Sequence, residues 1–109
     1  MESDYQLRGK VKKMDENSEN GKRYLPIGSV VQLVGGEKRV MIYGRRQRQV
    51  DSKVLWDYIG CLYPEGNISE EYMFLFNNEQ IETVYFLGFQ DQEEFAFQQR
   101  LINAVEDEI

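Results

Sequence analysis

Residues 25–44, LPIGSVVQLVGGEKRVMIYG, read as a β-hairpin with two apolar arms. Val30, Val31, Leu33 and Val34 on one arm, and Val40, Met41, Ile42 and Tyr43 on the other, are mostly residue types that suit a pleated, buried surface. Between them lies Gly35-Gly36-Glu37-Lys38, where glycine supplies the positive φ that a tight hairpin turn needs. Pro26 has a fixed φ and no N–H, so it fits the approach to a strand better than a central ladder position. Gly44 is expected to close the second arm, with Arg45-Arg46-Gln47-Arg48 following as a basic loop.

Outward from the hairpin, Val54 to Gly60 predicts a third strand, with Val54, Trp56 and Tyr58 on one face and Leu55, Asp57 and Ile59 on the other. Pro64-Glu65-Gly66-Asn67 is a turn signal. Tyr72–Phe76 predicts a short fourth strand, and Asn77 or Asn78 can cap one helical turn through Gln80. Glu82–Gly88 alternates as a further strand, placing Thr83, Tyr85 and Leu87 opposite Val84 and Phe86. The last element is a helix starting at an Asp91 N-cap, with Glu94 in the capping-box position. Its apolar stripe comprises Phe97, Leu101, Ala104 and Val105, widened by Phe95 and Ile102. Glu94 falls inside that stripe, an exception accommodated if its carboxylate folds back onto the N-cap.

A chain of 109 residues is one domain by size, and 41% hydrophobic with 13% aromatic residues argues that it folds. Residues 1–23 read as a flexible polar extension, because 14–23, MDENSENGKR, offers little apolar surface to offset ordering entropy. Residues 24–109 form the single folded domain. No apolar run approaches the roughly 20 residues of a spanning helix, and Met1-Glu2-Ser3-Asp4 does not begin a signal peptide. The single cysteine, Cys61, has no internal partner, which fits a reducing, cytoplasmic setting without membrane insertion.

Charge is segregated along the chain. Residues 1–24 carry six basic and five acidic groups, 25–60 six and three, and 61–109 one and eleven. The acidic C-terminal part disfavours phosphate backbones, which require clustered positive charge. Histidine is absent, so the commonest general base and a leading metal ligand are missing. Cys61 has no evident activating base, Ser29 in GSVV lacks the flanks of a nucleophile elbow, and the glycines near it do not form a phosphate-binding loop. Carboxylate pairs such as Glu70-Glu71 and Glu93-Glu94 read as solvated faces or helix starts. The residues point to a non-enzyme without metal, cofactor or small-molecule substrate.

Two features invite a functional reading. Lys38, Arg39, Arg45, Arg46, Arg48 and Lys53 flank the hairpin and, with Trp56 and Tyr58, could make a basic aromatic surface for nucleic acid, but the acidic remainder argues against it and solvated-loop or protein-contact charge is the favoured reading. The apolar supply from Tyr72 to Phe97 exceeds what so small a domain need hide; core packing is its default reading, and an exposed patch for a partner the second. The candidate partner-binding surface comprises Arg45, Arg46, Arg48, Trp56, Tyr58, Tyr63, Phe97 and Leu101.

Four motifs in order, LPIGSVV at 25–31, the Gly-Gly-Glu-Lys turn with Met41–Arg45, DYIGCLYPEGN at 57–67 and FNNEQI at 76–81, resemble those of the bacterial domain-of-unknown-function family 4176. The resemblance spans about Leu25 to Leu101 and leaves out residues 1–23. Its motif positions Pro26, Gly28, Gly44, Gly60, Pro64 and Gly66 are mostly backbone-shaping types. Members are small proteins encoded in Gram-positive type VII secretion loci beside LXG toxins. The resemblance implies a cytosolic accessory or chaperone that binds a secreted toxin, or the toxin's small helical partner, before export. An immunity protein neutralising a neighbouring toxin is the first alternative, and a small nucleic-acid-binding module the second.

The fold expected is α+β: a strongly bent antiparallel sheet of four or five strands, in one form a partly open SH3-like roll, with the C-terminal helix packed across it. If that helix docks in cis, Leu101→Asp should unfold the domain.

Overall fold

The computed structural model describes residues 23–49 and 51–108, and the expected extension over 1–22 lies outside them. Five strands are present, β1 (Val30–Leu33), β2 (Arg39–Arg48), β3 (Leu55–Tyr63), β4 (Met73–Phe76) and β5 (Ile81–Phe86), followed by helix α1 (Gln92–Glu108). The strands form one antiparallel sheet in the order β4-β3-β2-β1-β5. Each of β1 to β3 pairs with the next in sequence, and β5 returns to the outer side of β1. Among the described residues nothing pairs β4 with β5, so the sheet is an open roll and not a barrel.

The hairpin forms as the sequence predicts, with Val30 opposite Met41 and Val31 opposite Val40. Gly35 has φ +78°, the left-handed conformation its turn requires. The second arm does not end at Gly44. β2 runs through the basic stretch to Arg48, because β3 supplies ladder partners for its whole length: Arg45 faces Tyr58, Gln47 faces Trp56 and Arg48 faces Leu55. A register shift between Ile42 and Gly44, with Arg46 at φ +52°, bends the strand here. The run expected to be a loop is therefore the far half of a bent central strand.

β3 also extends past Gly60 to Tyr63, which puts Cys61 inside the strand and buries it. A 3-10 turn, Glu70–Tyr72, precedes β4, and another, Asn78–Gln80, joins β4 to β5. In the second, the backbone N–H of Asn77 donates to Gln80 Oε1 at 2.8 Å.

Alternation assigns the two faces of the sheet. Val31, Val40, Ile42, Tyr58, Phe76 and Ile81 face a core completed by Tyr24 and, from α1, by Leu101. Tyr58 lies between Tyr24 and Phe76, with ring centroids 6.1 and 5.4 Å away. Gly88, after β5, lies so close to the β1 approach that a Cβ there would fall 2.0 Å from the Ile27 carbonyl oxygen. Its N–H donates to the buried Ser29 Oγ at 3.0 Å, which fixes the exit of β5.

Candidate protein-binding surface

The eight surface residues expected from the sequence separate into two groups. Tyr58 is fully buried and Leu101 is 8% exposed, both in the core. The hydroxyl of Tyr58 accepts from the Leu25 N–H at 2.9 Å and donates to Asn78 Oδ1 at 2.6 Å. Asn78 in turn donates to the Arg23 carbonyl at 3.1 Å, so these contacts hold the chain's approach to the hairpin. The apolar body of the tyrosine fills the core while its polar tip stitches three segments together.

Arg45 is also internal, its side chain 4% exposed. It makes a bidentate pair with Glu94 of α1, at 2.6 and 2.9 Å, and its Nη1 reaches the Leu25 carbonyl at 3.3 Å. The guanidinium lies 5.4 Å from the Phe97 ring centroid. Gln98, one turn on, donates to Glu94 Oε2 at 3.0 Å and to the Tyr24 carbonyl, while its Oε1 accepts from the Tyr24 N–H at 3.2 Å. The carboxylate inside the helix's apolar stripe therefore answers a cation on β2. It does not fold back onto the N-cap, where Asp91 Oδ1 accepts from the Glu94 N–H at 3.0 Å. The Arg45 hydrogen bond holds the Glu94 carboxyl below its ordinary range, reinforced by Gln98 and opposed by burial.

Of the rest, Arg48 and Trp56 stand at the far end of the β2–β3 ladder, with Arg46 nearby. Trp56 Nε1 donates to Gln49 at 3.1 Å and Arg48 Nη1 to the Lys53 carbonyl at 3.2 Å. Tyr63 sits opposite Arg39 at the other end, about 23 Å of strand from Trp56. The expected surface does not assemble as one patch, because Tyr58, Leu101 and Arg45 are internal, Phe97 lies on α1 beside Arg45, and the others occupy opposite ends of the β2–β3 ladder.

What the fold brings together instead lies on the face turned away from the core. Successive ladder partners Met73, Cys61, Met41, Val30 and Phe86 form an apolar row across all five strands. Beside it is a groove of about 490 Å³ lined by Gly28, Val30, Arg39, Met41, Tyr63, Tyr85 and Phe86. Val30 and Met41 form its floor on β1 and β2, with Tyr85 and Phe86 on one side and Tyr63 on the other. Tyr63, Tyr85 and Phe86 are 42%, 53% and 60% exposed, an aromatic density unusual for a solvated face. Among the described residues Arg39 is the one charged residue of the lining, its guanidinium 4.8 Å from the Tyr85 ring centroid. Just outside, Lys38 pairs with Glu65 at 3.0 Å, which lowers the Glu65 carboxyl.

Only Tyr63 of the groove belonged to the expected surface. A signal for its floor was present in the hairpin: Val30-Val31 and Val40–Tyr43 run apolar without alternating, which marks strands apolar on both faces. Cys61 is a buried member of the row, where burial pushes its thiol up and makes it a packing residue. The hydroxyl of Tyr43 donates to Met73 Sδ at 3.0 Å above the same row.

Among the described residues no cluster of His, Cys, Asp and Glu converges as a metal site would, and no helix is long and apolar enough to cross a membrane. A family model described as a domain of unknown function, DUF4176, matches residues 24–97. Curated proteins and solved structures give no match.

Proposed function

The chain belongs to the DUF4176 family, and from that premise we propose that it is a non-enzymatic protein-binding accessory, holding an LXG-type toxin or the toxin's small helical partner in the cytosol before type VII export. The secretion context comes from the family resemblance. The mode of action comes from one observation, the apolar groove with its exposed aromatic rim on the face of the sheet that α1 does not cover. Exposed aromatic side chains around an apolar floor are the usual anchors of protein interfaces.

The test is co-purification of the tagged protein from its native host at moderate salt while the toxin is expressed. Stoichiometric recovery of an LXG-type toxin or its small helical partner, with a higher soluble or exported toxin level when this chain is present, is the expected result. Recovery of nucleic acid, or of no partner, overturns the proposal. Protection of cells by binding the toxic domain alone would assign the chain to immunity instead.

A further inference from the structure

We infer that the groove on β1, β2, β3 and β5 seats one amphipathic α-helix of a partner protein, whose apolar stripe is flanked by a carboxylate that pairs with Arg39. This deepens the protein-binding reading above and rests on it. Three observations select the occupant.

The first is width. The aromatic sides stand on β3 and β5, three inter-strand spacings apart, about 14 Å. An α-helix with its side chains is about 10–12 Å across, so one helix fills the groove and two do not.

The second is the character of the β5 edge. An extended peptide would pair with the open edge of β5, yet the β1–β5 ladder is broken by register shifts at two places, between Val30 and Val31 and between Gln32 and Leu33. Such irregularity disrupts the regular spacing of edge N–H and C=O groups that strand addition needs. The lining instead offers side-chain surface, which suits a helix read through anchors at i, i+4 and i+7.

The third is charge. Among the described residues Arg39 is the groove's sole charge, exposed and stacked on Tyr85, and no carboxylate of theirs lines the groove to answer it. A partner carboxylate at the edge of its apolar stripe would complete that pairing. The chain's own α1 is a poor substitute from a second copy. Its Leu101 is already committed to the core in cis, which leaves Phe95 and Phe97 exposed without a continuous stripe.

The test uses the full chain and two displayed peptide libraries, one of helix-forming sequences about five turns long and one of proline-spaced extended sequences. Selection should enrich helical members with apolar residues at i, i+4 and i+7 and an adjacent Asp or Glu. Amide shifts on adding an enriched peptide should map to Val30, Arg39, Met41, Tyr63, Tyr85 and Phe86. Arg39→Glu should weaken that peptide about tenfold or more, with recovery when the peptide's acidic residue becomes Lys. Met41→Arg, which places a charged chain on the floor, should abolish binding, and circular dichroism checks that both variants stay folded. Enrichment from the extended library alone, from neither library, or of peptides indifferent to both variants overturns the inference. So does light scattering that shows a dimer broken by Phe86→Ser, since the occupant would then be a second copy. Toxin co-purification that survives both variants refutes the groove and leaves the accessory reading standing. Selected helices that bind the groove while no toxin is recovered refute that reading instead.

Discussion

Replacing Glu94 by Ala removes the carboxylate that Arg45 faces inside the domain. The carboxylate accepts three hydrogen bonds, two from Arg45 at 2.6 and 2.9 Å and one from Gln98 at 3.0 Å. Without it the guanidinium, 4% exposed, retains from these contacts only the longer bond to the Leu25 carbonyl at 3.3 Å, and its Nε has no hydrogen-bond partner among the described residues. An uncompensated buried cation of this kind costs about 3 kcal/mol, against a total stability of roughly 5–15 kcal/mol for a small domain. The change in helix-dipole interaction at this first-turn position adds less than about 1 kcal/mol. Urea denaturation should show a lower midpoint at unchanged slope. The double variant Arg45→Met with Glu94→Leu removes both charges together and should regain most of the loss, since apolar replacement of a buried pair is often neutral or better. The pH dependence has a definite sign. Glu94 has a folded-state pKa below its ordinary value of 4.5, so on acidification the unfolded chain takes up the proton first. The pair's contribution is full above about 4.5 and fades as pH falls through the lower folded value, so parent and Glu94→Ala should converge in acid. A Glu94→Ala stability within about 0.5 kcal/mol of the parent at neutral pH, or a double variant as unstable as the sum of its singles, would refute this account.

Leu101→Asp should leave the domain unfolded by circular dichroism, and Leu101→Ala should cost about 2–4 kcal/mol, because this side chain joins α1 to the core in cis. Tyr58→Phe keeps the ring but strands the Leu25 N–H and Asn78 Oδ1, a loss of about 1–3 kcal/mol measurable in the same denaturation assay. Gly88→Ala meets the Ile27 carbonyl and should destabilise by about 1–3 kcal/mol, with the largest loss of amide-exchange protection around Ile27–Ser29 and the end of β5. Cys61, 2% exposed with its thiol raised by burial, should react with an aromatic disulfide reagent only after denaturation; prompt reaction in the native protein would contradict its buried place in the apolar row.

Local signals made the elements legible. The apolar arms and Gly-Gly turn gave the hairpin, Pro-Glu-Gly-Asn the following turn, and Asp91 the start of the helix. The extension of β2 through Arg45–Arg48 was not legible, because a glycine followed by arginines carries loop chemistry and only the facing β3 residues make it a strand. The same limit governed the site. Tyr58 is internal because Leu25 and Asn78, 33 and 20 residues away, satisfy its hydroxyl, and neither pairing leaves a periodic trace. Glu94 was visible as an anomaly on the helix face, but its partner lies 49 residues earlier in a run that reads as solvated charge. Buried polar groups are matched by distant partners, so a sequence reveals that one exists before it reveals its mate.

The sheet has two apolar faces and the described chain supplies one helix. α1 sits on the inner side through Leu101 and through the Glu94 and Gln98 contacts to Arg45 and Tyr24, leaving the Met41 and Val30 face uncovered by any helix among the described residues. An antiparallel sheet can meet water on one side, but that side is then normally polar. Here the next row along the same ladders is polar, Gln32 beside Arg39 and Thr83, so the apolar character belongs to a band and not to the whole face. A band of aliphatic and sulfur-bearing side chains bounded by tyrosines and one arginine is more selective than general stickiness. Its apolar floor rewards burial, and its arginine rewards a particular charge beside the buried stripe. Two of the four arginines of β2 thus differ in role through what faces them: Arg45 has its carboxylate within the chain and fixes the helix, whereas Arg39 has an aromatic ring beneath it and no carboxylate among the described groove residues.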